Sequence, residues 1–372
     1  MKYYLIAGEA SGDLHGANLM KALTKEDSKA SFRCWGGDLM EQAGGVLVKH
    51  YRDLAFMGFA EVVANMVTIL KNIKLCKQDV ESYNPDVIIF IDYPGFNLRI
   101  AKWAKQKGFK THYYISPQIW AWKEGRIKSI KRDVDAMYVI LPFEKDFYEK
   151  KHHFPVHFVG HPLIDALAHR KQVHPEIFKK EQGWDERPII ALLPGSRKQE
   201  ISKMLDVMLS VVEEFKDYQF VIAGAPSQEA TFYAPFIQQQ NVHLLLNRTY
   251  DLLSISDAAL VTSGTATLET ALFKIPQVVC YKGGRISYEI AKRVINLKYI
   301  SLVNLILNKE VVTELIQAEF NAKNLKKELS KILDSYKRAT LFLEYYDLEQ
   351  KLGGKGASEK TAKLIFEAIS AS

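Results

Sequence analysis

The stretch that most restricts how this chain folds lies just past its middle. Pro188 to Leu193 is an unbroken apolar run, the pattern of a buried strand, and the polar, helix-compatible run Lys198 to Phe215 follows directly. Between them stands Leu192-Leu193-Pro194-Gly195-Ser196-Arg197. A turn that feeds a buried strand into a helix aims free backbone N–H groups beyond the sheet, where an anion can sit. Arg197 adds a guanidinium whose fork matches a diphosphate, and Ser196 adds a hydroxyl donor. Ordinary strand-to-helix punctuation uses the same residues, so other motifs have to decide between a phosphate cradle and a plain turn.

The rest of the chain repeats that alternation. Tyr3 to Ala7, Phe32 to Trp35, Val87 to Ile91, Thr111 to Ile115, Ala136 to Leu141 and Val156 to Val159 read as strands of one parallel sheet, with helical stretches between several of them. Ile189 to Leu193, Gln219 to Ala223, Val242 to Leu246, Ala258 to Val261 and Gln277 to Tyr281 form a second series. At 372 residues the chain exceeds what a single core normally supports. The expectation is therefore an α/β protein of two Rossmann-like domains facing a cleft. The first spans 1–167; the second spans 168–372, opening with the polar stretch Ala168 to Arg187 and ending in a helical tail. The tail contains the turn Gly353-Gly354-Lys355-Gly356 and a last amphipathic helix, Ala357 to Ile369. Ligands of such sheets bind beyond the carboxyl ends of the strands, so the loops after Ala7, Ile91, Ile115, Leu193 and Val261 are the candidates for a site.

Charge narrows the partners. The net charge of +7 is a modest excess over 43 acidic residues, and it suits an anionic ligand or an anionic membrane surface. A nucleic-acid partner is not expected, because there is no basic tail, zinc-ligand spacing or basic region joined to heptads. Three scattered cysteines, Cys34, Cys76 and Cys280, fit reduced thiols of a cytosolic protein. The opening residues read as a first strand and not as a signal peptide, and no apolar run reaches membrane-spanning length.

Gly8-Glu9-Ala10-Ser11-Gly12-Asp13-Leu14-His15-Gly16 follows the first strand and opens a helix. Its glycine spacing is not the dinucleotide fingerprint, which removes the best signal for a nicotinamide or flavin enzyme. Glu9, Ser11 and His15 are placed for a hydroxyl-rich ligand; Ser11 and Asp13 equally suit helix caps. In Ile91-Asp92-Tyr93-Pro94-Gly95-Phe96-Asn97, a carboxylate directly after a buried strand makes Asp92 a candidate general base, against the alternative of a turn former before Pro94. Ser116-Pro117-Gln118-Ile119-Trp120-Ala121-Trp122-Lys123, followed by Arg126, Lys128, Lys131 and Arg132, suits a sugar ring or acyl chain next to a phosphate, or a core with a solvated helix face. Asp133-Val134-Asp135 precedes a strand, at the wrong end for the cleft, and no histidine spacing suggests ligands, so no metal is assigned. Val261-Thr262-Ser263-Gly264-Thr265-Ala266-Thr267-Leu268-Glu269 is a second strand–turn–helix cradle; Glu269 sits about one helical turn past Thr265, where a carboxylate can accept from ribose hydroxyls. Two cradles and a later acid suggest a nucleoside diphosphate.

Taken together, Ala7 to Asp13, Met57-Gly58 with Glu61-Val62, Ile91-Asp92 with Pro94 and Phe96-Asn97, Ser116-Pro117 with Trp120-Ala121-Trp122, Leu141-Pro142-Phe143-Glu144-Lys145, Gly160-His161, Leu193 to Arg197, Ser263 to Ala266, and Ser301 with Asn304 resemble the lipid A disaccharide synthases, glycosyltransferases of the two-Rossmann-domain B-type fold. The resemblance implies transfer of a diacylglucosamine unit from its UDP donor to 2,3-diacylglucosamine 1-phosphate (lipid X), with UDP and the β-1′,6 disaccharide 1-phosphate as products. It makes Asp92 the base. Gly195, Ser196, Arg197, Ser263, Gly264, Thr265, Ala266, Glu269 and Asn304 become donor-site residues, with Glu9, Ser11 and Asn97 at the acceptor site or cleft. Many members carry Asp where this chain has Gly95, so Asp92 acts here without a second carboxylate.

An inverting transfer of this kind asks for one base at the acceptor hydroxyl and a cationic, N–H-rich cradle at the departing diphosphate, and neither demand calls for a metal or a cofactor. A UDP-sugar epimerase of the same architecture is the alternative. A lipid acceptor implies work at the inner face of the cytoplasmic membrane. Phe56-Met57-Gly58-Phe59-Ala60 and the run from Val62 through Ile69, Leu70, Ile73 and Leu75, beside Lys71, Lys74 and Lys77, fit peripheral contact with an anionic bilayer, or else a core helix. Oligomeric state is left open.

Overall fold

The computed structural model of the chain describes residues 1–54, 66–168, 170, 172–284 and 298–371. It divides into two compact units, Met1–Ala168 with Leu352–Ser372, and His169–Lys351.

The first unit holds a parallel sheet of β1 (Lys2–Ala7), β2 (Ser31–Gly36), β3 (Gly45–His50), β4 (Val87–Ile91), β5 (Thr111–Tyr114), β6 (Ala136–Val139) and β7 (His157–Phe158), in the order β3-β2-β1-β4-β5-β6-β7. Helices connect many of these strands, and central strands covered on both faces must be apolar throughout. Accordingly, Tyr3 to Ala7 and Val87 to Ile91 are fully buried. Each large aliphatic side chain so buried contributes about 1.5–3 kcal/mol. The strand order reverses between β1 and β4, which pair in register from Tyr3↔Val87 to Ala7↔Ile91. Connections leave these two strands toward opposite sides, and a crevice opens between their carboxyl ends.

The second unit repeats the plan with β8 (Ile189–Leu193), β9 (Gln219–Gly224), β10 (Val242–Leu246), β11 (Ala258–Thr262), β12 (Gln277–Tyr281) and β13 (Glu314–Ile316), ordered β10-β9-β8-β11-β12-β13. Here the reversal falls between β8 and β11, paired from Ala258↔Ile190 to Val261↔Leu193. The turn after Leu193 and the turn after Thr262 are therefore neighbours.

Three expectations from the sequence change. β3 and β13 are additional strands at sheet edges; β13 has only the residues Glu314 to Ile316, and β3 is largely half-exposed, so neither shows the apolar run of a central strand. The run Lys198 to Phe215 is a helix only over Lys198–Met208 and tightens into a 3-10 turn over Leu209–Glu214. The tail does not belong wholly to the second domain. Residues 352–372 group with the first unit, where the helix Ala357–Ser370 packs on the helix Ala10–Glu26. Asp165 accepts from the Gly356 and Ser358 N–H groups at 2.7 and 3.1 Å, and the His161 N–H donates to the Leu352 carbonyl at 2.9 Å. An amphipathic pattern announces a helix but not the surface it covers. Cys34, Cys76 and Cys280 are free thiols, all buried.

Candidate active site

In the first unit the chemistry gathers at the β1–β4 crevice. Asp92 is the first residue past β4, and both Asp92 and Tyr93 adopt left-handed backbone, with φ of 44° and 49°. For residues other than glycine this conformation costs about 1–2 kcal/mol each and persists only where surroundings enforce it. The enforcement is visible. The Asp92 carbonyl accepts from Asn97 Nδ2 at 2.7 Å and from the Tyr113 hydroxyl at 2.6 Å, while its N–H donates to the Tyr114 carbonyl at 3.2 Å. With its peptide clamped on both sides, the residue has one free functional group, the carboxyl. Burial, and secondarily the negative charge of Glu9, push that carboxyl from 3.8 up to about 6, partly offset by the Tyr93 N–H. It is thus ionised at neutral pH yet basic enough to take a proton from a hydroxyl in flight.

The loop after β1 forms the other wall. A Cβ on Gly8 would lie 2.3 Å from the Tyr93 ring, so the left-handed turn at Asp92 and Tyr93 demands glycine here. Glu9 and Ser11 are exposed at the helix start, in position to meet a ligand. Asp13 turns away and caps the short helix Asp38–Gln42, accepting from the N–H groups of Gly37, Leu39 and Met40 at 2.7, 3.1 and 3.0 Å. Burial pushes His15 down to about 4, so its ring is neutral. Asn97 does not line the crevice as expected. It is wholly buried, and its amide also donates to the Ile6 and Ile91 carbonyls at 3.3 Å, so its Nδ2 holds Asp92 in place. Gly95 is exposed with nothing near its Cβ position, so space is not what keeps a second carboxylate out. Asp133 is engaged by Arg132 and Asp135 by Thr111, which leaves neither available as a ligand.

In the second unit the two turns flank the β8–β11 crevice. Gly195 has φ +106°, and a Cβ there would meet the Glu200 carboxylate at 2.6 Å. The turn is pinned by the Ser227 hydroxyl, which donates to the Ser196 carbonyl at 2.9 Å, and it leaves Ser196 and Arg197 exposed at the start of the helix Lys198–Met208. Across the crevice Gly264 caps the helix Thr265–Leu272; Gly264 and Thr265 are exposed, Ala266 is half-buried, and the first N–H groups of a helix have no intrahelical acceptor. Glu269 accepts from the Tyr250 hydroxyl at 3.1 Å, and burial raises its carboxyl above the ordinary value.

Two expected donor contacts change role. The Ser263 hydroxyl is spent on the Ile300 carbonyl at 2.9 Å. Asn304 is fully buried and saturated: Nδ2 donates to the Val312 carbonyl and to Glu314 at 2.8 and 2.9 Å, and Oδ1 accepts from the Val311 and Val312 N–H groups at 2.8 and 3.0 Å. No polar atom of its side chain is left for a donor, so Asn304 is a brace. Glu314 completes it by accepting the Ile300 and Ser301 N–H groups, each at 2.9 Å. Tyr113, Tyr250 and Glu314 carry no motif signal, because each lies in an apolar or unremarkable run; only the partner, seen in space, gives it a role.

Among solved structures the chain is similar to the UDP-GlcNAc 2-epimerase from Neisseria meningitidis bound to UDP-GlcNAc, with TM-score 0.71 and 14% identity over all of both chains. It is also similar to the S. aureus MnaA-UDP co-structure, with TM-score 0.73 and 13% identity over 100% of this chain and 97% of the other. The glycotransferase of kitacinnamycin matches at TM-score 0.66 and 13% identity over 99% of each chain. These likenesses define the fold class, the GT-B architecture that epimerases and glycosyltransferases share.

Sequence separates the two activities. The family model for lipid-A-disaccharide synthetase matches residues 3–366. Lipid-A-disaccharide synthases of Geobacter metallireducens and Syntrophus aciditrophicus are 38% and 39% identical, over 98% of this chain and 96% and 97% of theirs, and that of Coxiella burnetii is 36% identical over 98% of both. The chain belongs to the lipid-A-disaccharide synthase family. It is a glycosyltransferase of lipid A biosynthesis, and the epimerase alternative falls away.

Proposed function

We propose that the chain joins UDP-2,3-diacylglucosamine to 2,3-diacylglucosamine 1-phosphate, releasing UDP and forming the β-1′,6-linked disaccharide 1-phosphate by inverting displacement. The observation that carries this reading is Asp92, a clamped carboxylate whose basicity is raised by burial beside Glu9. Asp92 takes the proton of the acceptor 6-hydroxyl as that oxygen attacks the anomeric carbon. Charge building on the departing diphosphate is met by the N–H groups of Gly195, Ser196, Gly264, Thr265 and Ala266 and by the Arg197 guanidinium. Glu269, held by Tyr250, accepts from the ribose hydroxyls. UDP or a UDP-sugar in the neighbouring folds described above supports the choice of donor.

The acceptor is a lipid, and the helix Met66–Tyr83 supports a peripheral contact with an anionic bilayer: Val67, Leu70 and Leu75 are exposed beside exposed Lys71 and Lys74. Ile73 is partly buried against the core, and Phe56 to Ala60 lie outside the described residues. No described helix is long and apolar enough to cross a membrane. The test is UDP release by the purified chain with donor alone and with donor plus lipid X. Release that needs the acceptor supports the transfer; equal release without it, or interconversion of the donor sugar, overturns it.

A further inference from the structure

Past β5 the chain builds a loop from Ile115 to Arg126 around one buried carboxylate. Glu144 is almost completely buried; Oε1 accepts from the Ser116 hydroxyl at 2.6 Å and Trp120 Nε1 at 3.2 Å, and Oε2 accepts from the Ile140 and Leu141 N–H groups at 3.2 and 2.9 Å. Ile119 is buried beneath the loop, and the Tyr148 hydroxyl donates to the Pro117 carbonyl at 3.3 Å. Two of its residues other than glycine are left-handed: Ile115 at φ 64° and Lys123 at φ 57°. For a β-branched residue such as Ile115 that conformation is a true outlier, and strain of this kind survives where a site over-determines it.

What the loop displays is Trp122, 45% exposed, with Lys123 Nζ 4.2 Å and Arg126 Cζ 5.8 Å from its ring centroid. Among the described residues neither cation has a carboxylate at ion-pair distance, and the loop's own Glu124 is held by Lys151 and His152 at 2.7 and 2.9 Å. The loop also neighbours the base. It follows β5, which pairs with β4, and the Tyr114 carbonyl at the end of β5 accepts the Asp92 N–H.

We propose that Trp122, Lys123 and Arg126 form the subsite for the phosphate monoester of the sugar acceptor, with the indole against the sugar ring and the two cations on the phosphate. An exposed aromatic face suits the C–H surface of a sugar, and a guanidinium paired with an ammonium suits a dianionic phosphate. The inference rests on the acceptor reading above and adds where its phosphate binds. Arg126→Ala and Lys123→Ala are compared with wild type in UDP-release assays, using the acceptor with and without its phosphate. The expected result is a rise in acceptor KM of about ten- to a hundredfold for the phosphorylated acceptor, with donor KM and the phosphate-free acceptor unaffected. An unchanged KM, or an equal rise with both acceptors, overturns the subsite. Binding to phosphatidylcholine–phosphatidylglycerol vesicles is expected to match wild type; its loss with acceptor KM intact assigns the cations to a bilayer and overturns the proposal. If wild type releases no UDP, the transferase reading is what fails. Calorimetric titration with glucosamine 1-phosphate then still decides the subsite, since weaker binding to Arg126→Ala supports it and equal binding overturns it.

Discussion

Replacing Asp92 by Asn is expected to stabilise the protein while abolishing its turnover. The carboxyl is pushed from 3.8 to about 6, chiefly by burial, and that difference is worth about 3 kcal/mol against the ionised form. Because the folded value lies above the unfolded one, the folded state binds the proton more tightly. The contribution to stability is full below about pH 4 and is lost as pH rises through about 6. Asn is neutral at every pH and keeps the shape, so the variant escapes this loss. We expect it to exceed wild type by about 2–3 kcal/mol at pH 7.5 and to match it near pH 4. Urea unfolding followed by tryptophan fluorescence suits the measurement, since Trp35, Trp103, Trp120 and Trp122 lie in the first unit and only Trp184 in the second. Turnover falls by about 10²–10⁴-fold once the base is gone. A variant no more stable than wild type at pH 7.5, a gain that does not shrink as pH falls toward 4, or retained turnover would each contradict a buried, ionised base at Asp92.

Other perturbations follow from the same geometry. In wild type, kcat/KM falls as pH drops through about 6, and Glu9→Gln moves that acidic limb to lower pH by removing the charge that helps raise Asp92; a limb that stays put in the pH–rate profile argues against the pairing. Arg197→Ala weakens donor binding by about ten- to a hundredfold, measured by UDP titration calorimetry, with thermal stability unchanged because the side chain is exposed. Asn304→Ala leaves the buried Val311 and Val312 N–H groups and Glu314 without their partner and lowers stability by about 2–4 kcal/mol in denaturant melts; a stability equal to wild type would restore Asn304 to the ligand.

The central strands were readable because a strand covered on both faces must be an apolar run, and Val87–Ile91, Ile189–Leu193 and Gln277–Tyr281 fall where the pattern put them. The edge strands β3 and β13 carry no such requirement. The candidate turns were readable for a related reason: strand–turn–helix junctions of small and polar residues sit at the ends of apolar runs, and the strand order then brings the right pairs together. Sequence alone did not separate residues that reach toward a ligand from residues that hold them. Asn97 and Asn304 stand in motifs beside Asp92 and Ser301, yet both side chains are buried and their amide nitrogens donate to backbone carbonyls. A polar side chain at a strand end looks the same in either role until its partners are seen.

An inverting transfer onto the acceptor hydroxyl is tested most directly by the anomeric configuration of the new glycosidic bond. Nuclear magnetic resonance of the product from UDP-2,3-diacylglucosamine and lipid X is predicted to show a β-1′,6 linkage, formed in step with UDP. An α linkage, or free diacylglucosamine in place of the disaccharide, would contradict it.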